Sequence, residues 1–598
     1  MKFRLRPLLC ATAFALLAAC SSSPVNNSLG DLPQPSQASI EQLLNQAGSS
    51  QSEQANLLRL TAADKAYAQQ NSREARQILG SINLEGLKPA QQMFAQTLLA
   101  QLDLLDLLDK QPAQAVKRFD HPSFAQLGEL PAQQQIRSGL TKADAQAANG
   151  QPLAAAQERI FLGPLLDGDA AHDNREQIWQ LITSLPDAQL RQSVKDADLN
   201  GWLALAAITR GNLALDQQLA AIEDWQKQHP GHPAARNLPD DLERLKTLAR
   251  EPLNRVALLL PLQGQLAGVS RALQDGFMAA RYEALAAGQS APTVTVYDST
   301  QMGSLDAFYR QAQAAGIQLV VGPLEKNFVK QLGDRPQLPI NTLALNYGDS
   351  QGAQPPQLFQ FGLAAEDEAR EAARRAWADG KRSAGAMVPQ GDWGARVLAA
   401  FQNEWQQLGG RLVAAERIGQ PVEIANRISS LLQMRQGMDF IFLASTPAQA
   451  RQIKPILVYQ NARDLPVYAT SNLNSGVNEP GVNQDLNGIL FCETPWLLDP
   501  SNPLRAKITA QWPQAGTSIG RLYAMGADAY LLALHLQQLK ALPNSELPGL
   551  SGNLSVAPDQ RVVRHLPWAE FRNGVAQPLP ASNAPLPTTS VPASLSTP

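Results

Sequence analysis

From about Ala38 to Ala249 apolar residues recur every three or four positions, the period of helices that turn one face to a core. Leu57, Leu60, Ala63 and Tyr67 set the spacing. Pro89 opens a longer helix with Met93, Leu98, Leu102, Leu105 and Leu108 on one side. Leu104 and Leu107 give that helix a second apolar side, as expected where neighbours sandwich it. Breaks at Gln70-Asn71-Ser72 and Lys110-Gln111-Pro112 join the helices into antiparallel pairs. Past Glu251-Pro252-Leu253-Asn254 the pattern changes. Val256–Leu260 is continuously apolar, as in a strand buried on both faces. Further strands are predicted at Val294–Tyr297, Ile317–Val321, Gly385–Val388, Phe440–Leu443 and Val467–Ala469, with helical stretches between them. Such alternation predicts parallel sheets covered by helices, and a stretch of about 320 residues fits two lobes better than one.

The helical region, 38–250, resembles tetratricopeptide repeats loosely. Its spacing drifts, and the Trp-Leu-Gly-Tyr signature is not evident. The fold class expected is therefore α plus α/β: a TPR-like array, then a two-lobed α/β domain over 255–575. The uncharged Pro/Ser-rich end, 576–598, is expected to be disordered.

Lys2, Arg4 and Arg6 precede a short apolar run that ends in Leu17-Ala18-Ala19-Cys20. A basic start, an apolar stretch and small residues make a secretory signal, and the run is too short to span a bilayer. The cysteine after the small residues makes it resemble the lipobox of bacterial lipoproteins. The alternatives are an ordinary signal peptide, or an uncleaved helix with a chance cysteine. The resemblance implies that residues 1–19 are removed and that Cys20 is lipidated. Ser21, where an Asp would resemble an inner-membrane retention signal, points to the periplasmic side of the outer membrane. Residues 20–37 read as a flexible tether.

At 598 residues the chain is too long for one core. Its formal charge of −3 becomes more negative without the signal, so nucleic acid is not an expected partner. Of Cys10, Cys20 and Cys492, only Cys492 remains free. This leaves no intramolecular disulfide and no cysteine zinc cluster. In the apolar run Gly488–Cys492 the thiol reads as buried and inert.

Several segments together resemble type I periplasmic binding proteins: Val256–Leu260 with Pro261-Leu262-Gln263-Gly264, Leu273–Ala280, Leu319–Leu324, Gly362–Ala369 and Gly391-Asp392-Trp393-Gly394. Gly276 and Ala280, four apart, would let their helix approach the sheet. Ligands of open α/β sheets bind beyond the carboxyl ends of the strands. A cleft would then be lined by Gln263, Ser299, Thr300, Pro323, Leu324, Asn346, Gln390, Trp393, Ser445, Thr446 and Ser471. Ser445-Thr446 would suit a carboxylate, but no acid can be placed opposite it from sequence, and a small-molecule ligand is not expected. Lipobox, irregular helical array and binding-protein-like domain, in that order, resemble the LpoA family of outer-membrane lipoproteins. That resemblance implies a non-catalytic partner that binds a class A penicillin-binding protein and stimulates its transpeptidase. It implies no cofactor, no metal and no reaction by the chain itself.

Two other classes fit the sequence less well. A solute receptor or ligand sensor would use the cleft, but needs no helical extension. A hydrolase would need a nucleophile. Gly516-Thr517-Ser518-Ile519-Gly520 spells a nucleophile elbow without the apolar strand an elbow requires. His229 and His232, beside Pro230 and Pro233, read as a turn rather than a metal pair. Asp103, Asp106 and Asp109 read as an acidic face, either for a partner or merely solvated.

Overall fold

The computed structural model describes residues 28–105, 111–210, 213, 215–248, 252–348, 354–542 and 545–580. The signal, Cys20, Asp106, Asp109 and most of the C-terminal tail lie outside them. The chain divides into two compact units, Met1–Leu203 and Ala204–Pro598.

The first unit is built of helices. Ile40–Ser49 pairs with Ser52–Ala68, and Ala132–Ala148 pairs with Pro152–Leu162. Between them runs Pro89–Leu105, which buries Phe94, Leu98 and Leu102 together with Gln91 and Asp103. Burial all round this helix follows from its two apolar sides. Asp103 is only 1% exposed, contrary to the reading of an exposed acidic face. Arg76 (2.9 Å) and Arg118 (3.1 Å) hold its carboxylate from neighbouring helices.

The described end of the stretch expected as a tether, 20–37, packs on the helical core. Leu29 packs among Ala90, Met93 and Leu130, and its carbonyl accepts from Ala90 N at 2.9 Å. Lys65 Nζ donates to the carbonyls of Ser36 and Ala38. The leucines among the prolines fix this stretch to the helical core.

The helical region does not end as one body at residue 250 either. Helices Leu215–Gln228, Pro233–Arg236 and Asp240–Leu248 belong to the second unit. They lie by the long helix Gly520–Ala541, where Gln538 Nε2 donates to Gln218 Oε1 at 2.8 Å.

Among the described residues the second unit holds fifteen strands: β1 Arg255–Leu260, β2 Thr293–Asp298, β3 Leu319–Val321, β4 Asn341–Ala344, β5 Leu358–Gln360, β6 Ser383–Pro389, β7 Arg411–Ile418, β8 Phe440–Leu443, β9 Val467–Ala469, β10 Ile489–Cys492, β11 Leu547–Pro548, β12 Asn553–Val556, β13 Val562–His565, β14 Trp568–Arg572 and β15 Val575–Pro578. The first lobe is a parallel sheet in the order β2-β1-β3-β4-β5. The second is β15-β14-β10-β9-β8-β6-β7, in which β14 alone runs antiparallel to its neighbours β10 and β15. A small antiparallel sheet, β11-β12-β13, completes the unit. The tail expected from residue 576 is in part this last pairing, Phe571 with Ala576.

Among the described residues the chain crosses between lobes three times: after β5, after β10 and after β13. The second crossing leads to helix Gly520–Ala541, whose Met525, Ala529, Leu532 and Leu536 share the first lobe's core with Leu273 and Phe277. Gly276 lies against this helix, not against the sheet. A Cβ on Gly276 would stand 2.1 Å from the Tyr523 carbonyl oxygen, and one on Gly526 2.1 Å from that of Leu273.

Candidate functional site

The expected cleft residues do lie at carboxyl ends of strands, but the structure ties most of them to the protein's own groups. Asp298, the last residue of β2, ties the turn after β1 to the turn after β2. Its Oδ1 accepts from Leu262 N and Thr300 N, each at 3.0 Å, and from Thr300 Oγ1 at 2.7 Å. Its Oδ2 accepts from Gln263 Nε2 at 3.4 Å. These donors, Thr300 Oγ1 foremost, hold the carboxyl below its ordinary pKa.

Ser299 is buried, and its hydroxyl donates to Glu325. Pro323 and Leu324 are buried as well, Leu324 within the lobe core. Gly322 turns the chain there with φ +109°, and a Cβ would stand 2.0 Å from the Leu259 oxygen. Only glycine fits such an approach. Asn346 Nδ2 donates to the Leu324 carbonyl at 2.9 Å.

On the second lobe Gln390 is exposed, and Trp393 packs on the core. Thr446 caps helix Pro447–Tyr459, its hydroxyl accepting from Gln449 N, so it serves the helix. Ser445 is buried and its hydroxyl has no hydrogen-bond partner. Ser471, also buried, is held by Glu368, whose carboxylate accepts from Ser471 N (2.8 Å) and Oγ (2.9 Å).

The groups that sequence reasoning missed are the acids and their partners. Glu493 follows β10 directly and is fully buried. Its Oε1 accepts from Thr494 N (2.7 Å), Thr494 Oγ1 (3.0 Å) and Arg521 Nε (3.0 Å). Its Oε2 accepts from Asn474 Nδ2 (2.8 Å) and Arg521 Nη2 (2.6 Å). A charged residue placed straight after the buried run Ile489–Cys492 was the available signal. Burial pushes Glu368 above its ordinary pKa, against the pull of Arg564 and Arg521.

Asp528, on helix Gly520–Ala541, caps the turn before β12 by accepting from Leu550 N, Ser551 N and Ser551 Oγ. Burial outweighs those bonds and pushes its pKa up to about 6 from 3.8. The folded chain therefore holds a proton here between pH 3.8 and about 6 that the unfolded chain releases. Stability should fall as pH rises through that window, by about 3 kcal/mol from this group. Urea unfolding of the full chain at pH 4 and pH 7, beside Asp528→Asn, tests this. The wild type should lose ground relative to the variant at pH 7, and parallel pH profiles would refute the assignment.

The remaining candidates are structural. Cys492 is buried and its thiol pushed up by burial. Ser518 lies between the turn Pro513–Gly516 and helix Gly520–Ala541, with its N–H on the Ser475 carbonyl. His229 stacks on Trp225 at 5.0 Å, and His232 Nδ1 accepts from Ala234 N at 3.1 Å as a helix cap. Asp298, Glu368 and Glu493 thus each meet the chain's own donors, and the Glu493–Arg521 pair links the second lobe to the helix that enters the first.

The profile of the family described as "LppC putative lipoprotein" matches residues 33–574. The chain is 30% identical over 583 residues to the penicillin-binding protein activator LpoA of Glaesserella parasuis serovar 5, covering 96% of this chain and 97% of the relative. It is 32% identical over 498 residues to that of Pasteurella multocida, covering 80% and 85%. The solved structure of Haemophilus influenzae LpoA is similar with a TM-score of 0.69 at 27% identity, over 92% of this chain and 99% of that one.

Proposed function

We propose that this chain, which belongs to the LppC lipoprotein family, is a non-catalytic regulator of peptidoglycan synthesis that binds a class A penicillin-binding protein and stimulates its transpeptidase. The observation that carries this reading is end-to-end similarity to proteins named penicillin-binding protein activator. A helical array ahead of a two-lobed domain has no use in a transport receptor. It suits a body that holds one domain away from an anchor. The anchor in this reading is lipid on Cys20 at the periplasmic side of the outer membrane.

The site chemistry supports the same reading over that of a solute receptor. Glu493 is matched by Arg521, Asn474 and Thr494, and Glu368 by Ser471. Activation then follows from binding the active form of the synthase more tightly than the inactive one, since equal affinity shifts nothing.

The test is to add the purified mature chain, without lipid, to a class A synthase and measure peptide crosslinking. Crosslinking should rise at saturating activator, while the chain alone should leave peptidoglycan unchanged. Absence of both binding and stimulation would overturn the proposal.

A further inference from the structure

The second crossing between the lobes is pinned by a charge that the local chain does not favour. Arg521 is the second residue of helix Gly520–Ala541. A cation there meets the positive end of the helix dipole, so a stronger partner must hold it. That partner belongs to the other lobe. Arg521 Nε and Nη2 form a fork on the two oxygens of Glu493, at 3.0 and 2.6 Å. Nη2 also donates to the carbonyls of Ser471 (2.9 Å) and Asn474 (3.0 Å), just past β9. The helix that carries Arg521 buries its later turns in the first lobe.

We propose that Glu493 and the carbonyls of Ser471 and Asn474 form a binding site for planar guanidinium cations, which the chain fills with its own Arg521. The side chain acts as a tethered ligand and latches the second lobe to the first. A carboxylate fork with carbonyl acceptors matches the planar donor pattern of a guanidinium, which an ammonium lacks. Asn474 Nδ2 and Thr494 satisfy the remaining carboxylate positions, so the cradle is complete only with the cation in it. The other charges here are Glu368, on Ser471, and Arg564, on the carbonyls of Gly362 and Ser551. Neither takes the place of Arg521. The Ser518 N–H on the Ser475 carbonyl, at 2.8 Å, is a second stitch beside the latch. Opening the lobes would withdraw the guanidinium and take from Glu493 its cationic partner, which is unfavourable.

The test uses the full chain and needs no synthase, so its failure is distinct from failure of the proposed function. Arg521→Ala should lower the unfolding temperature. Methylguanidinium should restore part of the loss, methylammonium much less, and wild type should not respond to low concentrations of either. Wild-type stability in Arg521→Ala, or equal rescue by both cations, would overturn the proposal. Should Arg521→Ala not fold, Arg521→Lys keeps the charge without the fork. Its amides at 471–477 and 518–521 should then exchange hydrogen faster than in wild type while those of β1 and β8 do not. Unchanged exchange at those loops would equally overturn it.

Discussion

Gly276→Leu should unfold the first lobe of the α/β unit. The Cβ of any other residue here meets backbone, the Tyr523 carbonyl oxygen at 2.1 Å, and Gly526 faces the Leu273 oxygen in the same way. No rotamer relieves such a contact. The two helices must separate, and between them lie Leu273, Phe277, Met525 and Tyr530. Overpacking a core typically costs about 1–3 kcal/mol where side chains can shift. With backbone on the far side, more than about 4 kcal/mol is expected, a large part of the roughly 5–15 kcal/mol that holds a domain. Gly268→Ala on the same helix is the control, because nothing lies within 4 Å of its Cβ. Urea unfolding of the full chain should show little change for Gly268→Ala and a lost or strongly shifted transition for Gly276→Leu. A wild-type midpoint for Gly276→Leu would show that the helices can part freely.

That contact also marks the limit of the sequence pattern. The spacing of Gly276 and Ala280 announces a close approach but does not name the partner, and Tyr523 lies far along the chain. The two lobes were legible because β1, β3, β8 and β9 are short apolar runs with both faces buried. β7 was not, since Arg411, Glu416 and Arg417 interrupt an edge strand that is exposed or half-buried for most of its length. The stretch 29–37 looked like a tether because its prolines and serines outweigh Leu29 and Leu32, the two side chains that pack on the helical unit.

The site divides in the same way. Strand ends can be read from pattern, so Ser299 and Ser471 could be placed. Their partners depend on contacts between remote segments. Glu368 precedes Ser471 by 103 residues, and Arg521 follows Glu493 by 28. Glu368 and Glu493 could not be assigned a place from sequence for the same reason, and both bond to the chain's own groups.

Cys20→Ala should release the protein from membranes. The reading rests on Leu17-Ala18-Ala19-Cys20 after a basic start and on membership in a lipoprotein family. Among the described residues no helix is long and apolar enough to cross a membrane. Each buried CH₂ contributes about 0.8 kcal/mol, and one acyl chain alone binds reversibly with a constant of about 10⁴ M⁻¹, so stable anchoring needs more than one. Losing all of them should lower membrane partitioning by more than about 10⁴-fold. Fractionation of cells should move the variant from the outer-membrane pellet to the soluble periplasm. The same change should abolish stimulation of the synthase in cells, where a free protein is no longer held at the membrane, yet leave it intact between purified components. A variant that still pellets with the membrane would place the anchor elsewhere in the chain. A purified variant that no longer stimulates would mean that residue 20 acts on the synthase itself.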